Sequence, residues 1–292
     1  MLKGIVKKTV GGFYYVKIPE TGEVLECKAR GKFKIKQKNI LVGDFVEVAQ
    51  KGVNTWIIEK ICERKNSLKR PSVANVDKAI IVFSLKNPDV KLFMVDKFLV
   101  LSELNGIEPI LCLNKIDIVE EEVIGRVAGV YKSVGYTIIL TSAKENIGIE
   151  QLKDELKGCF SVFVGPSGVG KSTLLNRIQP GLKLKIGDLS KKIKRGKHTT
   201  THVELLDLES GGCVFDTPGF SAMDVSCLKE AEVDVLFPEM REHKSNCRFR
   251  ACLHYKEPQC GVKNAVKTGL IPENRYESYI RLLEEIKVSR RN

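Results

Sequence analysis

No stretch of this sequence stays apolar long enough to cross a bilayer. Runs such as 79–82 and 110–113 fall far short of the roughly 20 residues a spanning helix needs. The amino terminus, MLKGIVKKTV, lacks the apolar core of a signal peptide. No internal repeat and no low-complexity tract is present, so membrane, secreted, collagen-like and disordered classes are set aside. What remains is a soluble chain, expected in the cytoplasm as a monomer. With 292 residues, 43% apolar and 29% charged, it can bury two cores, or three if one is small.

Disulfide spacing is also missing. Of nine cysteines, Cys27, Cys62, Cys112, Cys159, Cys213 and Cys227 are scattered singly, several within apolar runs where a thiol is a small buried hydrophobe. Cys247, Cys252 and Cys260 cluster with His254, which in a reducing compartment reads as a metal site. Three thiolates and one imidazole suit a closed, tetrahedral, structural zinc ion with no open position for catalysis.

Charge is in excess and uneven. Lys and Arg number 48 against 36 acids, for a net +12. Residues 1–68 hold 14 basic and 7 acidic side chains, so more than half the surplus lies in the first quarter. An anionic partner is implied there. This quarter reads as short strands at 4–10, 13–18, 23–29, 45–49 and 54–61, which suggests a small closed barrel of the oligonucleotide-binding type. Lys28, Arg30, Lys32, Lys34, Lys36 and Lys38 share one parity and would form one cationic edge of an extended ribbon suited to an RNA backbone. The plainer alternative is a solvated loop whose charges aid solubility.

The middle of the chain alternates strand-like runs (78–85, 107–113, 137–140, 160–164, 203–208, 213–215) with helical ones (92–104, 120–134, 151–156, 171–178). That alternation means a largely parallel sheet with helices on both faces. Between strand 160–164 and helix 171–178 lies Gly165-Pro166-Ser167-Gly168-Val169-Gly170-Lys171-Ser172, followed by Thr173. This is a phosphate-binding loop in its proper strand–helix context. Its backbone N–H groups converge on a β-phosphate, Lys171 bridges the β- and γ-phosphates, and Ser172 ligates Mg²⁺. Asn114-Lys115-Ile116-Asp117 follows strand 107–113. The Asp117 carboxylate can accept both N1–H and the 2-amino group of guanine, a pair that adenine cannot offer. Ser142-Ala143-Lys144 supplies backbone N–H for guanine O6. Together these motifs select GTP over ATP.

Asp216-Thr217-Pro218-Gly219 ends strand 213–215; Asp216 would hold Mg²⁺ through water and the Gly219 N–H would sense the γ-phosphate. Thr200, or its neighbour Thr199, would complete the Mg²⁺ shell. The order is unusual. In small GTPases the phosphate loop comes first; here N-K-x-D and S-A-K precede it, as in a circularly permuted chain. Phe220 follows D-T-P-G, where many small GTPases have a water-orienting glutamine. Another group must supply that role.

With its permuted order, amino-terminal barrel and Cys247-x4-Cys252-x-His254-x5-Cys260 cluster, the chain resembles, along its whole length, the circularly permuted, small-subunit-dependent ribosomal GTPases of bacteria. The resemblance implies a barrel, a permuted GTPase domain and a mainly helical zinc domain, which the sequence divides at 1–68, 69–225 and 226–292. It implies GTP hydrolysis late in maturation of the 30S subunit, stimulated by that subunit and its rRNA. It assigns His198 to catalysis beside Lys171; the other reading is that His198 only bonds within its loop or touches RNA. A GTP-dependent switch with a protein partner is the alternative function.

Overall fold

The computed structural model describes residues 1–30, 39–52, 55–69, 71–182, 203–216 and 228–289. Five strands form the amino-terminal barrel: β1 (Leu2–Val10), β2 (Phe13–Lys17), β3 (Val24–Ala29), β4 (Phe45–Gln50) and β5 (Trp56–Ile61). They run in the order β1-β2-β3-β5-β4, and β4 pairs back onto β1 to close the barrel. Only the β3–β5 pairing is parallel. Period-2 patterning explains the closure: Val16, Leu25, Cys27, Val46, Val48 and Ile58 point inward and are buried. Burial pushes the Cys27 thiol up to about 11, as befits an inert core cysteine.

A short hairpin, β6 (Ser67–Lys69) and β7 (Ser72–Ala74), follows the barrel. The division expected after residue 68 falls inside it, because three-residue strands carry too little pattern to be read from sequence.

The central sheet contains β8 (Lys78–Phe83), β9 (Glu108–Asn114), β10 (Thr137–Thr141), β11 (Phe160–Val164), β12 (Glu204–Asp207) and β13 (Cys213–Asp216). Its order is β10-β9-β8-β11-β13-β12. Every pairing is parallel except that of β12 with β13. The near-continuous apolar run Ala79–Phe83 is fully buried, as a strand covered on both faces must be. Helices α1 (Leu92–Leu104), α2 (Glu121–Ser133), α3 (Ile149–Leu156) and α4 (Lys171–Ile178) cover the sheet. Among the described residues no helix is long and apolar enough to cross a membrane.

The barrel is joined to this sheet at β1 and β12, where Lys8 pairs with Glu204. A register shift between Val6 and Lys8 leaves Lys7 without a partner in β2. The buried Lys7 ammonium meets Asp207 Oδ1 at 2.9 Å, and Lys17 reaches Asp207 Oδ2 at 3.1 Å. Phe45 at the barrel's edge stacks on Phe160, which in turn meets Phe215 edge-on.

The carboxy-terminal unit holds α5 (Pro238–Arg241), α6 (Gly261–Lys267) and α7 (Glu273–Ser289), with short 3-10 turns between. It docks on α1, which explains why α1 is apolar nearly all round. Val95, Phe98 and Leu99 face the central core, while Phe93 and Val100 belong to the carboxy-terminal core with Phe237, Met240, Tyr279 and Leu283. At the seam lies Arg275, fully buried, bonded to Asp96 at 2.5 Å and to Glu239 at 2.7 Å, with its guanidinium 4.8 Å from the Phe237 ring centre. Tyr131 donates a further bond to Asp96. Removing one partner of a buried ion network strands the others. Arg275→Met is therefore expected to cost about 3–5 kcal/mol, seen as lost hydrogen-exchange protection in α1 and α7. Arg241→Ala, which breaks a more exposed pair with Glu103, should cost under about 1 kcal/mol.

Candidate functional site

The motif loops leave the carboxyl ends of parallel strands of one sheet, the edge where open α/β sheets bind ligands. β11 leads into the loop 165–170, β9 into 114–117, β10 into 142–144, and β13 ends at Asp216. Sheet order thus brings together residues up to a hundred positions apart.

The phosphate loop leaves no room for side chains at its two ends. A Cβ on Gly165 would lie 2.1 Å from the Val82 carbonyl, and one on Gly170 would lie 2.3 Å from Asn114 Nδ2. Both also have positive φ, which glycine alone adopts without strain. Lys171, the first residue of α4, folds back to donate to the carbonyls of Gly165 and Pro166, each at 2.7 Å. Burial pushes its ammonium down to about 8. A phosphate beside it would favour the charged form again. Ser172 and Thr173 follow in the first turn of α4, whose positive end faces the loop.

Asn114 ties three loops together. Fully buried, it donates from Nδ2 to Val169 O in the phosphate loop at 2.8 Å. Its Oδ1 accepts from the Ala143 backbone at 3.2 Å and from Thr141 Oγ1 at 3.1 Å. Lys115, in left-handed backbone, donates to Gly168 O at 2.9 Å and to Asn87 O. Asp117 Oδ1 accepts from Ser142 Oγ at 2.6 Å, so this carboxylate is fixed by the neighbouring loop. Ala143 is held from the far side by Arg177 of α4, and Lys144 pairs with Glu145 at the rim. Thr141 and Arg177 escaped the sequence reading, since neither lies in a motif with spacing of its own.

Asp216 lies across from Glu204 in the β12–β13 register. Burial, and then the Glu204 charge, raise its carboxyl above the usual range, a pairing that a cation would relieve. Gly219, His198, Thr199, Thr200, Phe220 and Cys227 lie outside the described residues.

The second cluster is the Cys/His group. Cys247, Cys252, His254 and Cys260 offer ligand atoms all within 4.8 Å of one another. Cys247 Sγ and Cys260 Sγ lie 3.4 and 3.3 Å from His254 Nδ1, and 3.8 Å apart. Zinc bonds of about 2.3 Å to sulfur and 2.0–2.1 Å to nitrogen require tetrahedral edges of roughly 3.5–3.8 Å, so the donor set fits the ion. Sequence reading missed Asp234, whose Oδ2 lies 3.3 Å from His254 Nε2 and 2.5 Å from Lys244 Nζ. A carboxylate on the far ring nitrogen fixes the tautomer and turns Nδ1 toward the metal. No fixed spacing announces such a residue; only the rule that a ligating histidine has an outer partner could have prompted a search.

Of the cationic series, Lys28 and Arg30 stand exposed at the end of β3, with Arg30 paired to Glu59. Lys32, Lys34, Lys36 and Lys38 lie outside the described residues. The same face carries two cation–aromatic pairs, Lys28 over Phe13 and Lys8 over Tyr15.

Known proteins share this arrangement. The sequence signature of the RsgA GTPase family matches residues 61–226, and that of the RsgA N-terminal domain matches residues 3–58. The small ribosomal subunit biogenesis GTPase RsgA of Alkaliphilus metalliredigens is 49% identical over 293 residues, covering 100% of both chains. The crystal structure of YjeQ from Thermotoga maritima superposes with a TM-score of 0.86 at 41% identity, covering 98% of each chain. That of YloQ, a circularly permuted GTPase, gives 0.84 at 38% identity over 98% of this chain and 95% of that one. A barrel, a permuted nucleotide sheet and a Cys/His cluster in one chain, matched along its full length, make it a member of the RsgA GTPase family.

Proposed function

We propose that this GTPase acts in biogenesis of the small ribosomal subunit, binding the 30S particle and hydrolysing GTP to GDP and phosphate faster when bound. The observation that carries the reading is Asn114. One buried amide couples the phosphate loop to the two guanine-reading loops, as a nucleotide switch requires. The names of full-length relatives supply the ribosomal context.

In this reading, residues 1–68 bind rRNA through Lys28, Arg30, Lys32, Lys34, Lys36 and Lys38, residues 69–225 hydrolyse GTP, and residues 226–292 form a zinc-stabilised unit. Asp117 reads the guanine edge, with backbone N–H of residues 143–144 on O6. Gly165 to Thr173 cradle the phosphates, and the Gly219 N–H senses the γ-phosphate. Lys171 stabilises charge developing on the transferring phosphoryl group, and His198 positions the attacking water. Ser172, Thr200 and, through water, Asp216 would hold Mg²⁺, which neutralises phosphate charge when it arrives with GTP. Zinc on Cys247, Cys252, His254 and Cys260 has a structural role only. The protein works as a cytoplasmic monomer.

The test is steady-state GTP hydrolysis alone, with 30S and with 50S subunits. Stimulation of at least a hundredfold by 30S only is expected. His198→Ala should keep 30S binding while losing most of the stimulated rate, as loss of a water-positioning group does. No stimulation by either particle would sink the ribosomal partner and favour a switch acting on a protein.

A further inference from the structure

Between two of the metal-ligating cysteines the chain reads Cys247-Arg248-Phe249-Arg250-Ala251-Cys252. All four intervening residues are exposed, and Phe249 leaves 44% of its surface in water. It packs into none of the three hydrophobic cores. An exposed phenylalanine on a floppy loop would simply fold under; this one is held out. The Arg248 N–H donates to Gln259 O at 3.1 Å and its guanidinium to Gln259 Oε1 at 3.0 Å. The Cys252 N–H closes a turn on Phe249 O at 3.3 Å, and the Gly261 N–H is bonded to Cys247 Sγ at 3.3 Å. The loop is therefore pre-organised around its ends, so ordering it on a ligand costs little entropy.

Its charge is one-sided. Arg248 lies 5.7 Å from the Phe249 ring centre, Arg250 forms no ion pair among the described residues, and Lys256 is exposed nearby. Glu257, the acid nearest in sequence, is turned inward, accepting from the backbone N–H groups of Leu253 and Tyr255 at 2.9 and 3.0 Å, and Glu284 is taken up by the Tyr255 hydroxyl at 2.9 Å. An exposed ring flanked in sequence by two arginines, on a turn held by its own hydrogen bonds, can stack an unpaired base and neutralise the phosphates beside it.

We propose that this loop is a docking site for one unpaired RNA nucleotide, with Phe249 stacking on the base and Arg248 and Arg250 contacting the flanking phosphates. The inference rests on the ribosomal reading only for its natural ligand, small-subunit rRNA, and the test separates the two. In a Trp56→Phe background, which removes the one native tryptophan, Phe249→Trp introduces a fluorescent reporter into the loop. It is titrated with 30S subunits and with the unstructured RNA octamer CACACACA. Quenching by both is expected. Phe249→Ala, with zinc content and thermal unfolding unchanged, should weaken 30S binding about tenfold or more without changing the salt dependence. Arg250→Ala should lower the slope of log affinity against log salt by about one.

Quenching by 30S but not by the octamer would mean that a ribosomal protein covers the ring, and would overturn the assignment. So would normal 30S binding with no quenching. Quenching by the octamer without 30S binding would leave the loop standing and sink the ribosomal reading instead.

Discussion

Replacing Asp117 with asparagine is expected to lower GTP affinity by about a thousandfold and to make xanthosine triphosphate the preferred nucleotide. In the proposed function the carboxylate reads guanine by accepting from two donors, N1–H and the 2-amino group. An asparagine amide offers one acceptor and one donor, so its NH₂ would face the guanine amino group and both donors would be left unpaired. Sites built around buried polar pairs reject the mismatched analogue by factors of about 10⁴–10⁵, and a thousandfold allows for partial exposure. Xanthine keeps N1–H but carries a carbonyl at position 2, which accepts from the new amide. The substitution should be well tolerated structurally. The Ser142 hydroxyl, 2.6 Å from Asp117 Oδ1, can donate equally to an amide oxygen, so the side chain keeps its orientation. Competition binding with GTP and xanthosine triphosphate, followed by turnover on each, is the measurement. GTP affinity within tenfold of wild type would remove Asp117 from the base-reading role.

The fate of individual residues shows how much of this was legible in sequence. Lys171, Asn114 and Asp117 stand in motifs whose spacing encodes a loop between a strand and a helix, so local pattern sufficed to bring them to the edge of one sheet. Helices 92–104 and 171–178 begin and end where their periodicity said. The barrel strands also emerged, because alternation over five or six residues is a local property. What did not emerge were the contacts made across long separations. Arg275 lies 179 positions from Asp96, and nothing in either residue's neighbourhood announces the pair. Lys7 sits beside Lys8 in a locally cationic run, yet it is buried against Asp207, 200 positions away. The second apolar face of α1 has the same kind of cause: it is covered by a unit that starts more than a hundred residues later. The attachment of the carboxy-terminal unit to α1, through Arg275 with Asp96 and Lys97 with Glu285, is of the same long-range kind.

Loss of one metal ligand, as in Cys252→Ala, should unfold part of the carboxy-terminal unit and leave the rest. The segment has two supports of different kinds. Helix α7 buries Tyr279, Leu282, Leu283 and Ile286 and is tied to α1 through Arg275 and through Lys97 with Glu285. Residues 243–263 have mostly short turns, and several backbone donors there end on thiol sulfur: Gly261 on Cys247, His254 on Cys252, and Lys263 on Cys260. Those sulfurs are positioned by the metal they would share. Structural zinc contributes apparent free energies of about 10–16 kcal/mol, comparable to the entire stability of an ordinary domain. No rearrangement of a segment with so little regular structure can offset that. Hydrogen exchange should therefore show protection lost across 243–263 in Cys252→Ala, or after a strong chelator, while α7 amides keep most of theirs. Metal analysis should give one zinc per chain for wild type and almost none for the variant. GTP hydrolysis by the free protein should stay within about twofold, since Asn114, Asp117 and Lys171 are braced from the sheet and α4, whereas 30S binding should fall with the docking loop at 248–251. A metal-free chain that kept its protection over 243–263 would show that the hydrophobic core alone holds this unit, and would reduce the Cys/His cluster to buried side chains.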